Sequence, residues 1–382
     1  MTDAALEALI DRVRAARADK TPLDIQGGNT KAFYGEPPQG LPLDLRGLAG
    51  ISSYEPSELV VTVRAGTPLA ELEAALAEQA QCLPFEPPRF MAGGSVGGSV
   101  RGTVGGTVGG MVAAGLAGPA RAAVGGLRDY VLGATLLTGR GELLSFGGQV
   151  MKNVAGYDVS RLLAGSMGVL GVVCEVSLKV LPLAVATATL RFERDEATAL
   201  KQLNSWGGQP LPINASAWWD GMLVLRLSGA AAAVQSAVQK LGGEVVDPTL
   251  AAAFWTGLRD QTDEFFVKAG AAVAAGATLW RLAVPQTAAP MALAGEHLVE
   301  WGGAQRWVVT TTPAATVREA AARAGGHATV FRSARAGEAE HGRAEAPRFA
   351  PLSAPLMQIH RELKAAFDPD RIFNPGRLYA GL

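Results

Sequence analysis

The sequence predicts an α+β protein with two domains. Short apolar runs alternate with Gly, Pro and Asn through residues 21 to 66, which indicates strands joined by turns. A chain of 382 residues, 48% hydrophobic and 18% charged, is long enough for two packed domains. Beyond Leu183 alanine-rich segments alternate between strand and helix patterns. We therefore expect a first domain over 1–182, a second over 183–345 and a C-terminal segment over 346–382.

The first element is predicted to be an amphipathic helix, because Leu6, Leu9, Ile10 and Val13 fall on one helical face. The same segment lacks the basic start and apolar core of a signal peptide, so we expect a cytoplasmic protein. The net charge of −1 provides no basic surface for nucleic acid. The only two cysteines, Cys82 and Cys174, exclude structural zinc and a cysteine-ligated iron–sulfur cluster within this chain.

Thr67 and Pro68 predict the start of a helix, with the threonine as N-cap and Leu69, Leu72 and Leu76 as its buried stripe. Further along, the pattern predicts a hairpin over 128–148 that turns at residues 138–141, and a short helix, a glycine turn and a long strand over 160–182. The last helix is expected at about 356–367.

Tandem glycine units fill the stretch from Gly93 to Pro119, "GGSVGGSVRGTVGGTVGGMVAAGLAGP". The uncharged part, residues 102–120, contains too much glycine and too few large apolar side chains for a membrane-spanning helix. Glycine instead suits a loop whose backbone approaches a large ligand closely.

The 47 glycines contain neither G-x-G-x-x-G nor a P-loop, which excludes the usual dinucleotide and Walker turns. A different turn, "QGGNTK", follows the strand pattern of residues 23–25. It supplies Gly27, Gly28, Asn29, Thr30 and Lys31, whose amides, hydroxyl and positive charge suit a pyrophosphate. Taken alone, this motif is equally compatible with a plain glycine turn.

A second polar and glycine-rich cluster follows the hairpin, in "MKNVAGYDVSRLLAGSMGVLGVV". Together "GGNTK", "YEPSELVVTVRAGTPLAEL", "KNVAGYDVSRL", "GVLGVV" and "FDPDRIFNPGRLY" resemble the vanillyl-alcohol oxidase type of FAD-binding family, and most closely the FAD-binding subunits of bacterial glycolate oxidases. The resemblance covers about residues 5–182 and 350–382. It implies a PCMH-type FAD-binding domain of two α+β subdomains, a smaller α+β cap domain, and a chain end that returns to the FAD domain.

The resemblance also implies the cofactor and its contacts. Residues 27–31 would hold the pyrophosphate of FAD and Asn374 would lie near the isoalloxazine. The adenosine and ribityl portion would be wrapped by Lys152, Asn153, Gly156, Tyr157, Asp158, Gly168, Gly171 and Val172. The flavin is expected to be non-covalent, because the first histidine of the chain is His297 and no histidine is available in the main FAD domain.

Relatives of this type place a short serine or threonine, aliphatic, Gly-Gly motif against the flavin. Two registers match here, residues 95–98 and residues 107–110, which differ by twelve residues. We interpret the stretch as one flavin loop expanded by tandem repetition. We predict that Thr107, Gly109 and Gly110 contact FAD, because they lead directly into a helix whose dipole would point at it. The surplus units would form an extra loop.

No catalytic residue is assigned and no metal site is expected. The four histidines, His297, His327, His341 and His360, have no ligand spacing, and the metal segment carried in the cap by hydroxy-acid dehydrogenases of the resembling family is missing. Arg226, Arg281 and Arg332 lie in or beside predicted cap strands and could face a carboxylate or solvent. The seven tryptophans all lie in the second domain, as core or as a subunit interface.

The resemblance implies an FAD-dependent oxidoreductase acting on CH–OH groups as a subunit of a glycolate oxidase complex that converts glycolate to glyoxylate. Its partners would be a sister FAD-containing subunit and an iron–sulfur subunit, in the cytoplasm or peripherally at the inner membrane through those partners. The alternative is a self-sufficient FAD-dependent 2-hydroxy-acid dehydrogenase or oxidase that uses His360 and a cap arginine. A structural subunit with a degenerate FAD site is the third interpretation.

Overall fold

The computed structural model of the chain describes residues 3–90, 105–148, 158–334 and 346–382. Its helices are α1 Ala4–Ala18, α2 Leu69–Glu78, α3 Val108–Ala114, α4 Arg121–Val124, α5 Glu196–Gly207, α6 Ala231–Leu241, α7 Pro248–Asp260, α8 Glu264–Ala274, α9 Ala314–Arg323 and α10 Ala354–Phe367. Short 3-10 turns lie at Pro56–Glu58, Leu127–Asp129, Ser160–Leu163 and Trp301–Gly303.

The strands form two large antiparallel sheets and two small pairs. Those of the first half are β1 Leu23–Gln26, β2 Leu41–Asp44, β3 Ile51–Glu55, β4 Val60–Arg64, β5 Gln81–Cys82, β6 Val131–Leu137, β7 Leu143–Gly147, β8 Val172–Lys179 and β9 Leu181–Pro182. The others are β10 Ala186–Glu193, β11 Ile213–Trp219, β12 Met222–Gly229, β13 Glu244–Val245, β14 Thr278–Ala283, β15 Glu296–Glu300, β16 Gln305–Thr310 and β17 His327–Arg332.

The first large sheet has the order β3-β4-β8-β6-β7, and the second has the order β13-β10-β12-β11-β15-β16-β14-β17. The strands of the first sheet lie between residues 51 and 179 and those of the second between 186 and 332, on either side of the composition change at Leu183. The exact domain boundaries given above stay predictions.

The N-terminal helix packs as its apolar pattern predicts. Asp3 caps α1 with its side chain, and Leu9, Val13 and Ala16 are buried on one face. They pack in one cluster with residues of β1 and β2 and with Phe373 from the far end of the chain. A parallel bridge joins Leu23 to Phe373, so the C-terminal segment lies beside β1.

The start of α2 differs from the prediction. Leu69, Leu72 and Leu76 are fully buried as expected, but Pro68 occupies the N-cap position and makes no side-chain cap bond. The hydroxyl of Thr67 is used elsewhere, because its Oγ1 accepts a hydrogen bond from the amide of Gly50 at 2.9 Å. Thr67 therefore bonds to Gly50, which is distant in sequence, instead of capping α2.

The hairpin turns where it was predicted, with the amide of Thr138 donating to the carbonyl of Glu142 at 2.9 Å between β6 and β7. β8 is the central strand of the five-stranded sheet and pairs with β4 and β6. Its residue Val176 is fully buried. The glycine turn that precedes β8 therefore leads directly into the central strand of the sheet.

The tryptophans serve mainly as core. Trp255, Trp280 and Trp307 are 5%, 2% and 4% exposed. Trp301 contacts the first half of the chain: its indole N–H donates to the carbonyl of Gly118 at 3.0 Å, and the guanidinium carbon of Arg121 lies 4.7 Å from the ring centroid. Among the described residues no helix is long and apolar enough to cross a membrane.

Candidate cofactor site

A cleft of about 860 Å³, part of it open to solvent, lies where the end of β1, the first turn of α3, the glycine turn before β8 and the C-terminal segment meet. The predicted site residues that line it are Gly27, Gly28, Asn29, Thr30, Lys31, Thr107, Gly109, Gly110, Gly168, Gly171 and Asn374. The fold thus brings together segments that are far apart in sequence.

Two of the other predicted residues, Val172 and Asp158, are described and do not line the cleft. Val172 points into the core beneath the sheet and does not line the cleft, whereas Val173 does, because successive side chains of a strand face opposite sides. Asp158 is engaged locally, with Oδ1 accepting from the hydroxyl of Ser160 at 2.8 Å and Oδ2 lying 3.0 Å from Arg161 Nε. Lys152, Asn153, Gly156 and Tyr157 lie outside the described residues, as do residues 95–98 of the alternative repeat register and His341.

Two chain segments in direct contact form the floor of the cleft. A Cβ atom on Gly27 would lie 2.2 Å from Thr107 Oγ1, and one on Gly28 would lie 2.8 Å from the carbonyl oxygen of Gly105. Real Cβ atoms do not approach so closely, so only glycine fits there. The tight turn after β1 and the segment before α3 therefore pack directly against each other, with the Thr107 hydroxyl against Gly27 and the Gly105 carbonyl against Gly28.

Lys31 presents a positive charge at this surface. Its Nζ is shielded from solvent and has no hydrogen-bond partner among the described residues. Burial lowers the pKa of Lys31 to about 8, against a weaker opposing effect of Asp260. A buried ammonium without an acceptor is unfavourable unless an anion neutralises it. The lysine and the glycine floor together suit a phosphate-bearing ligand.

Asn29 and Thr30 complete this turn. Asn29 has a φ of +53°, a conformation that asparagine tolerates better than most residues, and its side chain is exposed at the cleft. Thr30 is 3% exposed. The backbone conformation of the turn thus accounts for asparagine, while its exposure leaves the amide side chain available to a ligand.

The helix-dipole argument predicts that the amides at the start of α3 are available to FAD, but the structure pairs them with acceptors of the protein. Thr107 is the N-cap, and its Oγ1 accepts from the amide of Gly110 at 3.3 Å. The amides of the next positions have protein acceptors as well: Val108 donates to Thr67 O at 3.0 Å, Gly109 to Ala65 O at 2.7 Å and Met111 to Thr107 O at 2.9 Å. Gly109 and Gly110 therefore contribute space to the cleft wall. A Cβ on Gly109 would lie 2.8 Å from the Cβ of Ala65.

Asn374 ties two walls of the cleft together. Its Oδ1 accepts from the amide of Ile25 at 2.8 Å, and its Nδ2 donates to the carbonyl of Met167 at 2.7 Å. A Cβ on Gly168 would lie 2.7 Å from that Nδ2, and Gly168 has a φ of +72°. The glycine turn is thus shaped to accept the asparagine side chain, which joins it to β1.

Arg377 also lines the cleft, although sequence reasoning did not single it out. Its Nη2 donates to the carbonyl of Ala32 at 2.9 Å, and its Nη1 donates to the carbonyl of Glu36. Burial lowers the pKa of this guanidinium. Through these two hydrogen bonds Arg377 fixes the segment that follows Lys31. The signal was present in "NPGRLY", where the arginine follows the motif that contains Asn374.

The residues considered for a substrate site have protein partners. Arg226 Nη2 donates to Glu86 Oε1 at 2.7 Å, and Arg281 Nη2 donates to the hydroxyl of Tyr34 at 3.1 Å. Arg332 is 8% exposed; its guanidinium stacks 3.7 Å from the ring centroid of Phe33 and Nη2 donates to Gln261 Oε1 at 3.1 Å. His360 Nδ1 lies 2.8 Å from the carbonyl of Leu356 in its own helix. His297 and His327 are not in the described lining of the cleft either.

Comparison with known proteins identifies relatives of both the sequence and the fold. Residues 4–107 match the family model for an FAD binding domain. The chain is 46% identical over 380 residues to the glycolate oxidase subunit GlcE of Escherichia coli (strain K12), covering 98% of each protein. It is 40% identical over 74 residues to the glycolate oxidase subunit GlcD of Bacillus subtilis (strain 168), which is 19% of this chain and 16% of that relative.

The solved structure of alkyldihydroxyacetonephosphate synthase superimposes with a TM-score of 0.63 at 14% identity, covering 97% of this chain and 74% of that chain. With the match to the FAD binding domain, this similarity confirms the predicted fold class.

Removing the side chains of Asn29 and Lys31, in the turn that follows β1, is expected to weaken FAD binding. In Asn29→Gly/Lys31→Ala, glycine accepts the positive φ of residue 29, so the loss reflects side chains rather than backbone strain. A charge-assisted hydrogen bond contributes roughly 1.5 to 3 kcal/mol, so we expect the FAD dissociation constant to rise roughly tenfold to a hundredfold. Titration followed by flavin fluorescence measures it. Lys201→Ala, on the exposed side of α5, is the control. Unaltered affinity would place the pyrophosphate elsewhere.

FAD affinity is expected to fall as the pH rises above about 8, the pKa of Lys31 in the FAD-free protein. A bound pyrophosphate favours the protonated ammonium and raises this pKa, so binding at higher pH takes up a proton. The dissociation constant should rise by up to about tenfold per pH unit within this window. Titrations at pH 7, 8 and 9 test this. Lys31→Arg, which stays protonated, should flatten the profile. A flat profile for the wild type would contradict the assignment.

One repeat unit is expected to suffice for the cofactor. Deleting residues 97–108 joins "GGSV" directly to Gly109, which replaces the Thr107 cap with Ser95 in an equivalent sequence. Serine caps a helix about as well as threonine, so we expect FAD content per chain to be unchanged. Thr107→Val in the full-length chain, which removes the cap bond, is the companion variant. Complete loss of flavin from the deletion variant would refute the repeat interpretation.

Proposed function

Because the chain belongs to the family of the glycolate oxidase subunit GlcE, we propose that it is the FAD-binding subunit of a glycolate oxidase, which oxidises glycolate to glyoxylate. The observation that carries this proposal is 46% identity over 98% of both proteins. The chain is accordingly part of an FAD-dependent oxidoreductase that acts on CH–OH groups.

The cleft fits FAD by two independent features. The ammonium of Lys31 is buried without an acceptor in the described part of the chain, and the floor of glycines leaves no room for a Cβ atom. When bound, FAD supplies the acceptor for the two electrons released in oxidising a hydroxyl to a carbonyl group. In this proposal Lys31 neutralises the pyrophosphate and the turn around Asn29 presents amides and polar side chains to it. Thr107, Gly109 and Gly110 shape the wall. The glycine turn and Asn374 close the opposite side.

The partners we propose are a sister FAD-containing subunit of the GlcD type and an iron–sulfur subunit. The cysteine content of this chain supports a cluster on another subunit, because Cys82 and Cys174 are too few to ligate one. Cys174 is 3% exposed, and burial raises the pKa of its thiol to about 12, so it stays protonated. Electrons leaving the flavin would pass onward through the partners. The assembly would lie in the cytoplasm or peripherally at the inner membrane.

The sister subunit is also the proposed source of the hydroxy-acid site. A 2-hydroxy acid needs a cation for its carboxylate and a base for its hydroxyl proton. The cap arginines that were candidates already engage protein groups, Arg226 with Glu86 and Arg281 with Tyr34. Freeing either one for a substrate would cost an interaction between the two halves of the chain. This observation favours the subunit over the self-sufficient dehydrogenase.

The absorption spectrum of the chain purified alone is expected to show flavin bands that glycolate does not bleach in the absence of oxygen. Bleaching should appear once the sister subunit is added, because that subunit supplies the base and the carboxylate site. D-Lactate serves as a second substrate, and the sister subunit depleted of its flavin serves as the control. Bleaching of the isolated chain by glycolate would establish the self-sufficient alternative instead.

A further inference from the structure

A buried lysine–aspartate pair lies behind the cofactor cleft without lining it. Lys364, near the end of α10, is 1% exposed, and Asp368, the residue that follows the helix, is fully buried. Lys364 Nζ lies 2.7 Å from Asp368 Oδ2. Removing two charges from water in this way is costly, so both need further hydrogen bonds to be tolerated.

Those further bonds join two walls of the cleft. Lys364 Nζ donates to the carbonyl of Val169 and to the carbonyl of Phe373, each at 2.7 Å. Val169 lies within the glycine turn between Gly168 and Gly171, and Phe373 immediately precedes Asn374. An ammonium has three N–H donors, so these two carbonyls and the aspartate use all of them.

Asp368 fixes the tail from the other side of the pair. Its Oδ1 accepts from the amide of Ile372 at 3.1 Å and its Oδ2 from the amide of Phe373 at 2.8 Å. The tail then runs beside β1, where the amide of Asn374 donates to the carbonyl of Leu23 at 2.9 Å. The end of β1 carries the turn of residues 27–31, so the position of the pair determines where both walls stand.

We infer that Lys364 and Asp368 are positioning residues for FAD, which set the separation between the glycine turn and the C-terminal tail and thereby the shape of the cofactor cleft. The inference rests on the proposed function, since it takes FAD as the occupant of the cleft. The pair acts through the carbonyl of Val169 and the backbone around Phe373, without touching the cofactor.

The chain contains a matched control. Arg306, also 1% exposed, holds Glu196 Oε1 at 3.0 Å and the carbonyls of Gly303 and Ala288 at 2.7 and 3.0 Å. It is thus a buried cation that joins one carboxylate and two backbone carbonyls, as Lys364 does. Its partners all lie between residues 196 and 306, away from the cleft.

The test compares Lys364→Met with Arg306→Met in the full chain. Both variants are expected to unfold at a lower temperature. Only Lys364→Met should raise the FAD dissociation constant, by at least tenfold, and accelerate hydrogen exchange of residues 166–171 in the FAD-free protein. Arg306→Met should keep the dissociation constant within twofold of the wild type. Equal FAD affinity of the two variants would overturn the positioning role and leave a purely stabilising one.

A milder pair of variants decides the question if Lys364→Met does not fold. Asp368→Asn and Glu196→Gln keep the size of each side chain and remove its charge. We expect FAD affinity to fall in Asp368→Asn alone, with a smaller change than in Lys364→Met, and unchanged affinity in Asp368→Asn would overturn the inference. A wild-type chain that binds no FAD would refute the proposed function itself, which separates the two failures.

Discussion

The close approach of two backbone segments is the constraint on which the cofactor cleft depends. Residues 27–28 and 105–107 pack so tightly that Thr107 Oγ1 occupies the position of a Cβ on Gly27. This contact sets where the turn after β1 meets the start of α3. The same first turn of α3 is bonded to carbonyls beside β4, at Ala65 and Thr67. The parallel strand pair and the five-stranded sheet are therefore joined through this contact and through the main-chain bonds of α3.

Two lysines have ammonium groups that are shielded from solvent, Lys31 at this cleft and Lys364 behind it. Lys364 has an acceptor for each of its three N–H groups. Lys31 has none among the described residues, although its ammonium is also shielded from solvent. A fully bonded buried cation is part of the scaffold, whereas one without an acceptor is unfavourable until an anion arrives. The shielded ammonium that lacks an acceptor therefore indicates which side of the site faces the ligand, and this criterion does not depend on sequence similarity.

Local patterns and recognisable motifs account for what the sequence could predict. The stripe of α1, the hairpin of β6 and β7 and the last helix follow from periodicity and turn residues. The motifs around Gly27, Gly168 and Asn374 identified segments that the fold brings to one cleft. Val172 misses the cleft because side chains alternate along β8, and the other failures involve partners that are distant in sequence. The hydroxyl of Thr67 accepts a hydrogen bond from the amide of Gly50, and the amide of Gly109 donates one to the carbonyl of Ala65. Arg377 acts on carbonyls that no spacing rule would connect with it.

The link between Asn374 and Met167 has a consequence for the biosynthesis of the protein. These residues are 207 positions apart, and they bond across the cleft. At roughly 5 to 20 residues per second, a ribosome adds the asparagine roughly 10 to 40 seconds after the methionine. During that interval the glycine turn lacks the side chain that fills it, and β1 has β2 beside it but lacks the bridge to Phe373. The nascent chain can thus complete this cleft only after the segment around Asn374 has emerged, which follows the synthesis of the whole second sheet.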